Sequence, residues 1–468
     1  GSIQSVHFIG ICGTAMASVA AAMKERGFVV TGSDQNVYPP MSTFLAEKGI
    51  PVISGYDERN LASQPDLVVV GNAISRGNPE AEAVLERKLR YCSLPELLKE
   101  FFIRGKQSLV VCGTHGKTTT TSLLAWVFET SGRNPNFLIG GIPNNLGQGA
   151  RFTDSEWFIV EGDEYDTAFF DKRSKFVHYL PDLAIINNLE FDHADIFENV
   201  AAIQVAFKRL INLIPRNGLL LANGDDPLIA PLLGIRHCPL KTFGLGESCA
   251  LRATQLELGP ACSRFVADGD RYSIPLIGEL NVRNALAVVG AARHYGLARE
   301  QIQSAFDTFT SVKRRMEVRG ESSGIVVIDD FGHHPTAIRE TMRALRVRFP
   351  NRAVWAVFEP RTNTTRRKVF QNEIGEALAL ADGVAVAQVA RLDQLPPEER
   401  LNPEELIESL CALGKPAFYL PTADAIVDQL GKTVREGDVV CVFSNGGFGG
   451  IHDKLLERFR QPGQRMAA

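Results

Sequence analysis

Between Val110 and Thr121 an apolar run, SLVVC, passes into Gly113-Thr114-His115-Gly116-Lys117-Thr118 and then into TTTSLLAWVFET. A strand, a glycine-bearing turn and a helix that opens on hydroxyl residues follow one another without a break. A chain with this order has to lay the strand in a sheet and set the helix start over the strand's carboxyl end, which commits it to an α/β fold. Backbone N–H groups of such a turn cradle phosphate oxygens, Lys117 adds a point charge, and the Thr118 hydroxyl can ligate Mg²⁺. The usual spacing has a glycine where Val111 stands, so the tight turn falls to Gly113. The stretch therefore reads as a nucleoside triphosphate site formed by Gly113, Thr114, His115, Gly116, Lys117, Thr118 and Thr119.

The 468 residues exceed one comfortable core, and the alternation of strand and helix patterns recurs in three blocks, 1–106, 107–318 and 319–468. A formal charge of -4 gives no electrostatic footprint for nucleic acid. With neither an 18-residue apolar run nor a signal-peptide pattern, a cytoplasmic chain without a membrane partner is expected. The eight cysteines form no CxxC pair and several lie in apolar strands, so they read as buried thiols.

The first block opens as strand (SVHFIG), helix (CGTAMASVAAAMKERG) and strand (FVVTGSD), with Asp34 where a carboxylate meets a ribose hydroxyl in dinucleotide folds. Cys12 and Ala15 stand where GxGxxG has glycines. A turn that only packs helix on strand remains an alternative reading. In the second block, EWFIVEGDEYD and LAIINNLEFDHADIF each deliver carboxylates or histidine after an apolar strand. Residues 247–276 alternate in polarity and predict a small antiparallel appendage. Asn281 and Asn284 share one helix face, a pattern that a solvated face also produces. The third block carries DDFGHHPTA, a Pro- and acid-rich stretch RLDQLPPEERLNPEEL that reads as an exposed connection, and SNGGFGG between a strand and a helix. In DDFGHHPTA, His333 and His334 can orient a nucleophile or can cap a helix and pack.

The ordered set GTHGKTTTT, EGDEYD, NNLEFDHAD, GELNVRNAL, KRRMEVRG and DDFGHHPTA resembles the Mur ligase family across the whole chain. The resemblance implies a Rossmann-like N-terminal domain that binds a UDP-sugar, a central P-loop ATPase α/β domain and a C-terminal Rossmann-like α/β domain that binds peptide. It implies ATP and two Mg²⁺ ions. Lys117, His193 and Arg315 become the catalytic set, Thr118, Glu161 and His193 the metal ligands, and Asn281, Asn284, Arg315 and Asp330 further ATP contacts. Leu280 replaces the family's usual histidine. Gly13, Thr14, Met16, Ser33, Asp34, Asn72 and Ser75 match the UDP-sugar site, and His334, Arg361, Asn445, Gly446 and Gly447 are the expected peptide contacts. GICGTAM and SNGGFGGIHDKL resemble the branch that joins UDP-N-acetylmuramate to the murein tripeptide L-Ala-γ-D-Glu-meso-diaminopimelate through an acyl phosphate, in peptidoglycan recycling. The alternatives are a ligase for L-alanine alone and a catalytically silent nucleotide-binding regulator. Folate polyglutamylation leaves the first domain unexplained. Lys208, at the spacing where some members carry a carbamoylated lysine, is read as an ordinary surface residue. A monomer or weak homodimer is expected.

Overall fold

The computed structural model describes residues 2–460 and consists of three helix-covered sheets. The first contains β1 (Ser5–Ile9), β2 (Val29–Asp34), β3 (Val52–Ser54), β4 (Leu67–Val70) and β5 (Tyr91–Ser93), all parallel, in the order β3-β2-β1-β4-β5. Strand order reverses between β1 and β4, which opens a crevice at their carboxyl ends. The helix Thr14–Glu25 lies close to this sheet because its buried face is largely alanine. At Gly32 a Cβ would come within 2.4 Å of Ile11, so the turn after β1 rests directly on β2.

The stretch LPELLKEFFIRGKQ folds as the helix Leu94–Leu98, capped by Ser93 and Glu96, continuing through the wider turn Lys99–Ile103. It buries Leu97, Leu98, Phe102 and Ile103 in one apolar cluster with Val110, Phe158 and Ile186 of the next sheet. The first two units therefore share a continuous core.

The central sheet contains β6 (Gln107–Cys112), β7 (Asn136–Leu138), β8 (Ala150–Arg151) and β9 (Trp157–Glu161). After a separate hairpin, β10 (Asp166–Ala168) and β11 (Asp171–Ser174), it adds β12 (Leu183–Ile186), β13 (Leu219–Asn223), β14 (Leu240–Gly244), β15 (Leu251–Leu258), β16 (Ser263–Ala267) and β17 (Asp270–Ile274). The order is β17-β16-β15-β14-β13-β12-β6-β9-β7-β8. The expected antiparallel appendage is thus the far end of this ten-stranded sheet. β15 pairs in parallel with β14 through Phe243 and Leu251, and β16 and β17 each pair antiparallel with the strand before them. Leu251, Ala253, Phe265, Tyr272 and Ile274 share a core with the helix Glu279–His294. Alternating polarity identified half-buried strands but carried no information on which neighbour completes the pairing.

The third sheet is built from β18 (Glu317–Ser322), β19 (Ile325–Asp330), β20 (Val354–Phe358), β21 (Gly383–Val386), β22 (Ala417–Tyr419) and β23 (Val439–Phe443). Its order is β18-β19-β23-β20-β21-β22, with β18 alone antiparallel. The stretch read as an exposed connection ends in the helix Pro403–Ala412, whose Asn402 side chain accepts from the N–H groups of Glu404 and Glu405. Asn-Pro followed by two glutamates is a helix start, and its acidity masked that signal. Among the described residues all eight cysteines are free, and no helix is long and apolar enough to cross a membrane.

Candidate functional site

β6 ends at Cys112, and Gly113 (φ 137°) and Gly116 (φ 78°) turn the chain into the helix Lys117–Thr130. Gly116 needs its left-handed conformation and its missing side chain alike, since a Cβ there would lie 2.6 Å from Asn284 Oδ1. Thr118 Oγ1 donates to Glu161 Oε1 (2.9 Å), and the Gly140 N–H donates to Glu161 Oε2 (2.7 Å). Lys117 Nζ donates to Glu164 Oε2 (2.5 Å), while His193 Nε2 lies 2.9 Å from Glu164 Oε1. Glu164 thus joins the loop lysine to the histidine delivered after β12. Burial pulls the Lys117 ammonium pKa down, but Glu164, Asp163 and Glu161 outweigh this and hold it above its ordinary value. Burial likewise opposes charge on His193, and Glu164 and Asp192 overcome it in the upward direction. Asp163 resists burial through Lys175 and Lys117 and is held down at about 2.

A cavity of about 580 Å³ opens above the loop. Thr114, His115, Gly116, Lys117, Thr118, Thr119, Glu161, His193, Asn281, Asn284, Arg315, Asp330 and His334 all line it, although they arise from distant parts of the chain. Gly113 lies beneath, against Asn187 and Asn188. Asn284 is 2% exposed and donates to Asn281 Oδ1 at 3.2 Å, so this face of the helix is buried, not solvated. Asp330 accepts from the N–H groups of Met316 (2.9 Å) and Gly332 (2.8 Å). Burial raises its pKa, with Arg315 pulling the other way. Asp163, Glu164 and His193 place one ligand atom each within 4.8 Å of one another. The sequence had shown the EGDEYD carboxylates as a cluster, but nothing in their spacing separated Glu164, which meets Lys117 and His193, from its neighbours. Lys208 is exposed on the helix Val200–Ile211.

The remaining candidates lie elsewhere. In the first domain Gly13, Thr14, Asn72 and Ser75 are exposed at the crevice, whereas Met16 and Ser33 are buried. Ser33 points inward, where its hydroxyl donates to Glu80 Oε2 (2.6 Å) and Glu80 in turn meets His7 Nε2 (2.9 Å). Asp34 accepts from the Cys12 N–H (2.9 Å) and so braces the turn. The fully buried His7–Glu80 pair could not be read from the sequence, since the two residues lie 73 positions apart. In the third domain Gly446 and Gly447 border a neighbouring cavity, and the Arg361 side chain packs on Gly446. Asn445 lies beside them in the same turn.

His334, an expected peptide contact, has both its ring nitrogens engaged within the protein. Nδ1 accepts from the Thr336 N–H (3.2 Å) and caps the helix Pro335–Arg348, and Nε2 donates to the Phe191 carbonyl (3.0 Å). Burial and the neighbouring His115 push its pKa down to about 4, so the ring is neutral and can accept at Nδ1. Thr336 Oγ1 donates to Glu190 Oε2 (2.7 Å), which also lies 3.3 Å from His115 Nε2. This seam ties the third domain to the turn that carries His115. Thr336→Val, which keeps the branched shape without the hydroxyl, is expected to weaken it by about 1 kcal/mol. Amide hydrogen exchange in residues 188–191 should then quicken about fivefold. Unchanged exchange would show that the bond contributes nothing to closure.

Comparison with known proteins agrees with this architecture. Residues 5–105 match the Mur ligase family catalytic domain, 111–292 the Mur ligase middle domain, and 314–446 the Mur ligase glutamate ligase domain. The chain is 42% identical over 456 residues to the UDP-N-acetylmuramate–L-alanyl-γ-D-glutamyl-meso-2,6-diaminoheptandioate ligase of Escherichia coli (strain K12), covering 97% of each. It is 32% identical to the UDP-N-acetylmuramate–L-alanine ligase of Acetivibrio thermocellus, covering 99% of this chain and 97% of the relative. The crystal structure of a murein peptide ligase from Psychrobacter arcticus 273-4 superposes with a TM-score of 0.72 at 34% identity, over 98% of this chain and 99% of that one. Full-length identity of this order, together with three consecutive domain matches, places the chain in the Mur ligase family.

Proposed function

We propose that this protein uses ATP to join UDP-N-acetylmuramate to the tripeptide L-Ala-γ-D-Glu-meso-diaminopimelate, returning cell-wall fragments to synthesis. The observation that carries the reading is the cavity in which the phosphate loop and the Thr118–Glu161 pair of one domain face Arg315 and Asp330 from the junction with another. The 42% identity to a ligase named for this tripeptide supports the substrate.

A carboxylate does not react with an amine until one of its oxygens becomes a leaving group. Attack of the muramyl carboxylate on the γ-phosphate of ATP creates that group as an acyl phosphate and releases ADP. The α-amine of the peptide's alanine then attacks the acyl carbon, and phosphate leaves. Lys117 and Arg315 would hold the transferring phosphoryl charge from two domains, and Asn281 and Asn284 would meet the nucleotide beside the loop. The donor chemistry fits Mg²⁺: Thr118 and Glu161 supply hydroxyl and carboxylate oxygens, and His193 has the Asp163 and Glu164 oxygens beside it. Bound there, the metal would neutralise phosphate charge. Gly13, Thr14, Asn72 and Ser75 would line the UDP-sugar crevice, with Met16, Ser33 and Asp34 shaping it from beneath.

ADP release in the presence of UDP-N-acetylmuramate, compared across L-alanine, the diaminopimelate tripeptide and a lysine tripeptide, tests the assignment. The diaminopimelate tripeptide is the expected acceptor. Turnover with L-alanine alone would transfer the assignment to the L-alanine ligases, and nucleotide binding without ADP formation would indicate a silent regulator.

A further inference from the structure

A second cavity, of about 600 Å³, lies beside the first and shares Thr118, Gly140, Arg315 and Phe331 with it. Its walls come from residues 312–319, from β19, from the 446–447 turn and from His452 on the helix Ile451–Arg460. Its size falls in the range of about 300–1,000 Å³ usual for small-ligand sites.

The charged groups in this wall are not equally free. Arg314 is engaged: it donates to Asp329 Oδ2 (3.0 Å) and to the carbonyls of Ser444 (2.7 Å) and Gly446 (2.9 Å). Glu317 Oε2 accepts from the Arg314 N–H (2.7 Å). Asp329, 1% exposed, sits among Arg314, Arg319 and His452. Arg319 differs from Arg314. Among the described residues it makes no hydrogen bond, only ion contacts of 3.7 Å to Asp329 and 3.6 Å to Asp453, and a third of its side chain is open. His452 is buried, and its Nε2, although 3.2 Å from Asp329 Oδ1, is out of line for a hydrogen bond and lacks a partner. A guanidinium with unused donors and a buried, unpartnered ring nitrogen therefore border the same cavity. Both are suited to an incoming carboxylate.

Resting on the ligase reading above, we infer that this cavity receives the distal end of the peptide, with Arg319 and His452 binding the side-chain carboxylate of diaminopimelate. Asp453, 3.6 Å from Arg319, would meet the ammonium on the same carbon, so the Arg–Asp pair complements an amino-acid terminus. The peptide's reacting amine then lies at the shared end of the two cavities, near Thr118 and Gly140. Lysine at the third position keeps the ammonium but lacks the carboxylate, and Arg319 is thereby the residue that distinguishes the two peptides.

Steady-state kinetics of the full-length enzyme with the diaminopimelate and lysine tripeptides, for wild type, Arg319→Met and Arg319→Lys, tests this. Arg319→Met keeps the apolar stem on an edge strand and should fold, which a thermal melt verifies. Its KM for the diaminopimelate peptide should rise about 10- to 100-fold, with KM for ATP and UDP-N-acetylmuramate unmoved and the preference over lysine abolished. Arg319→Lys should restore part of that preference. A wild-type enzyme that uses the tripeptide but ignores the distal carboxylate, or an Arg319→Met variant that keeps its preference, overturns the inference while leaving the ligase reading intact. Absence of turnover with any tripeptide overturns both.

Discussion

Replacing Lys117 with alanine is expected to lower ADP-forming turnover by at least about 10²- to 10³-fold, the usual cost of removing an electrostatic group that faces developing charge. The substitution also removes half of a buried pair, since Lys117 and Glu164 keep 13% and 3% of their side-chain surface. An unpaired buried carboxylate costs about 3–5 kcal/mol; His193 stays beside Glu164 and offsets part of this, so the single variant should lose some stability as well as activity. Lys117→Ala with Glu164→Gln separates the two effects. The double variant should regain most of the lost stability, measured by denaturant unfolding, yet remain inactive. Near-normal turnover in either variant would remove Lys117 from the reaction.

Glu161→Gln is the second substitution with a large expected effect. The carboxylate accepts from Thr118 Oγ1 with one oxygen and from the Gly140 N–H with the other. Glutamine offers only one oxygen; with it toward the Gly140 N–H, the NH₂ group donates to the Thr118 hydroxyl, which must then turn its own proton elsewhere. Loss of the negative charge also weakens the oxygen set for a hard cation. Turnover at fixed Mg²⁺ is expected to fall about 10²-fold, with the Mg²⁺ concentration for half-maximal activity shifted upward. An unchanged Mg²⁺ dependence would exclude Glu161 as a ligand.

Both arguments start from residues visible in the sequence, but only one of their partners was. Lys117 and Thr118 declare themselves through the strand-turn-helix context, and Glu161 and His193 through their place after apolar strands. Glu164 did not, because one of several adjacent carboxylates becomes special only when the strand end is docked against the loop. Asn284 likewise gave no local sign of being buried, and the Ser33 hydroxyl, in a stretch suggestive of ligand contact, points inward to Glu80. The edge of the central sheet was read as an appendage because alternation of polarity describes the faces of a strand and is silent about its neighbour.

By itself the sequence determined the α/β class, the three-part organisation and the strand–turn–helix of residues 107–130. Each of these rests on interactions among residues close along the chain: periodicity, capping, and the glycines that permit the turn at 113 and 116. Tertiary structure alone decided which side chains share a site. Lys117 reaches Glu164 across 47 positions, His334 reaches Phe191 across 143, and Arg314 reaches Ser444 across 130. Local preference cannot specify such pairings, because they depend on how whole sheets bury their apolar faces and on which strand ends that burial brings together.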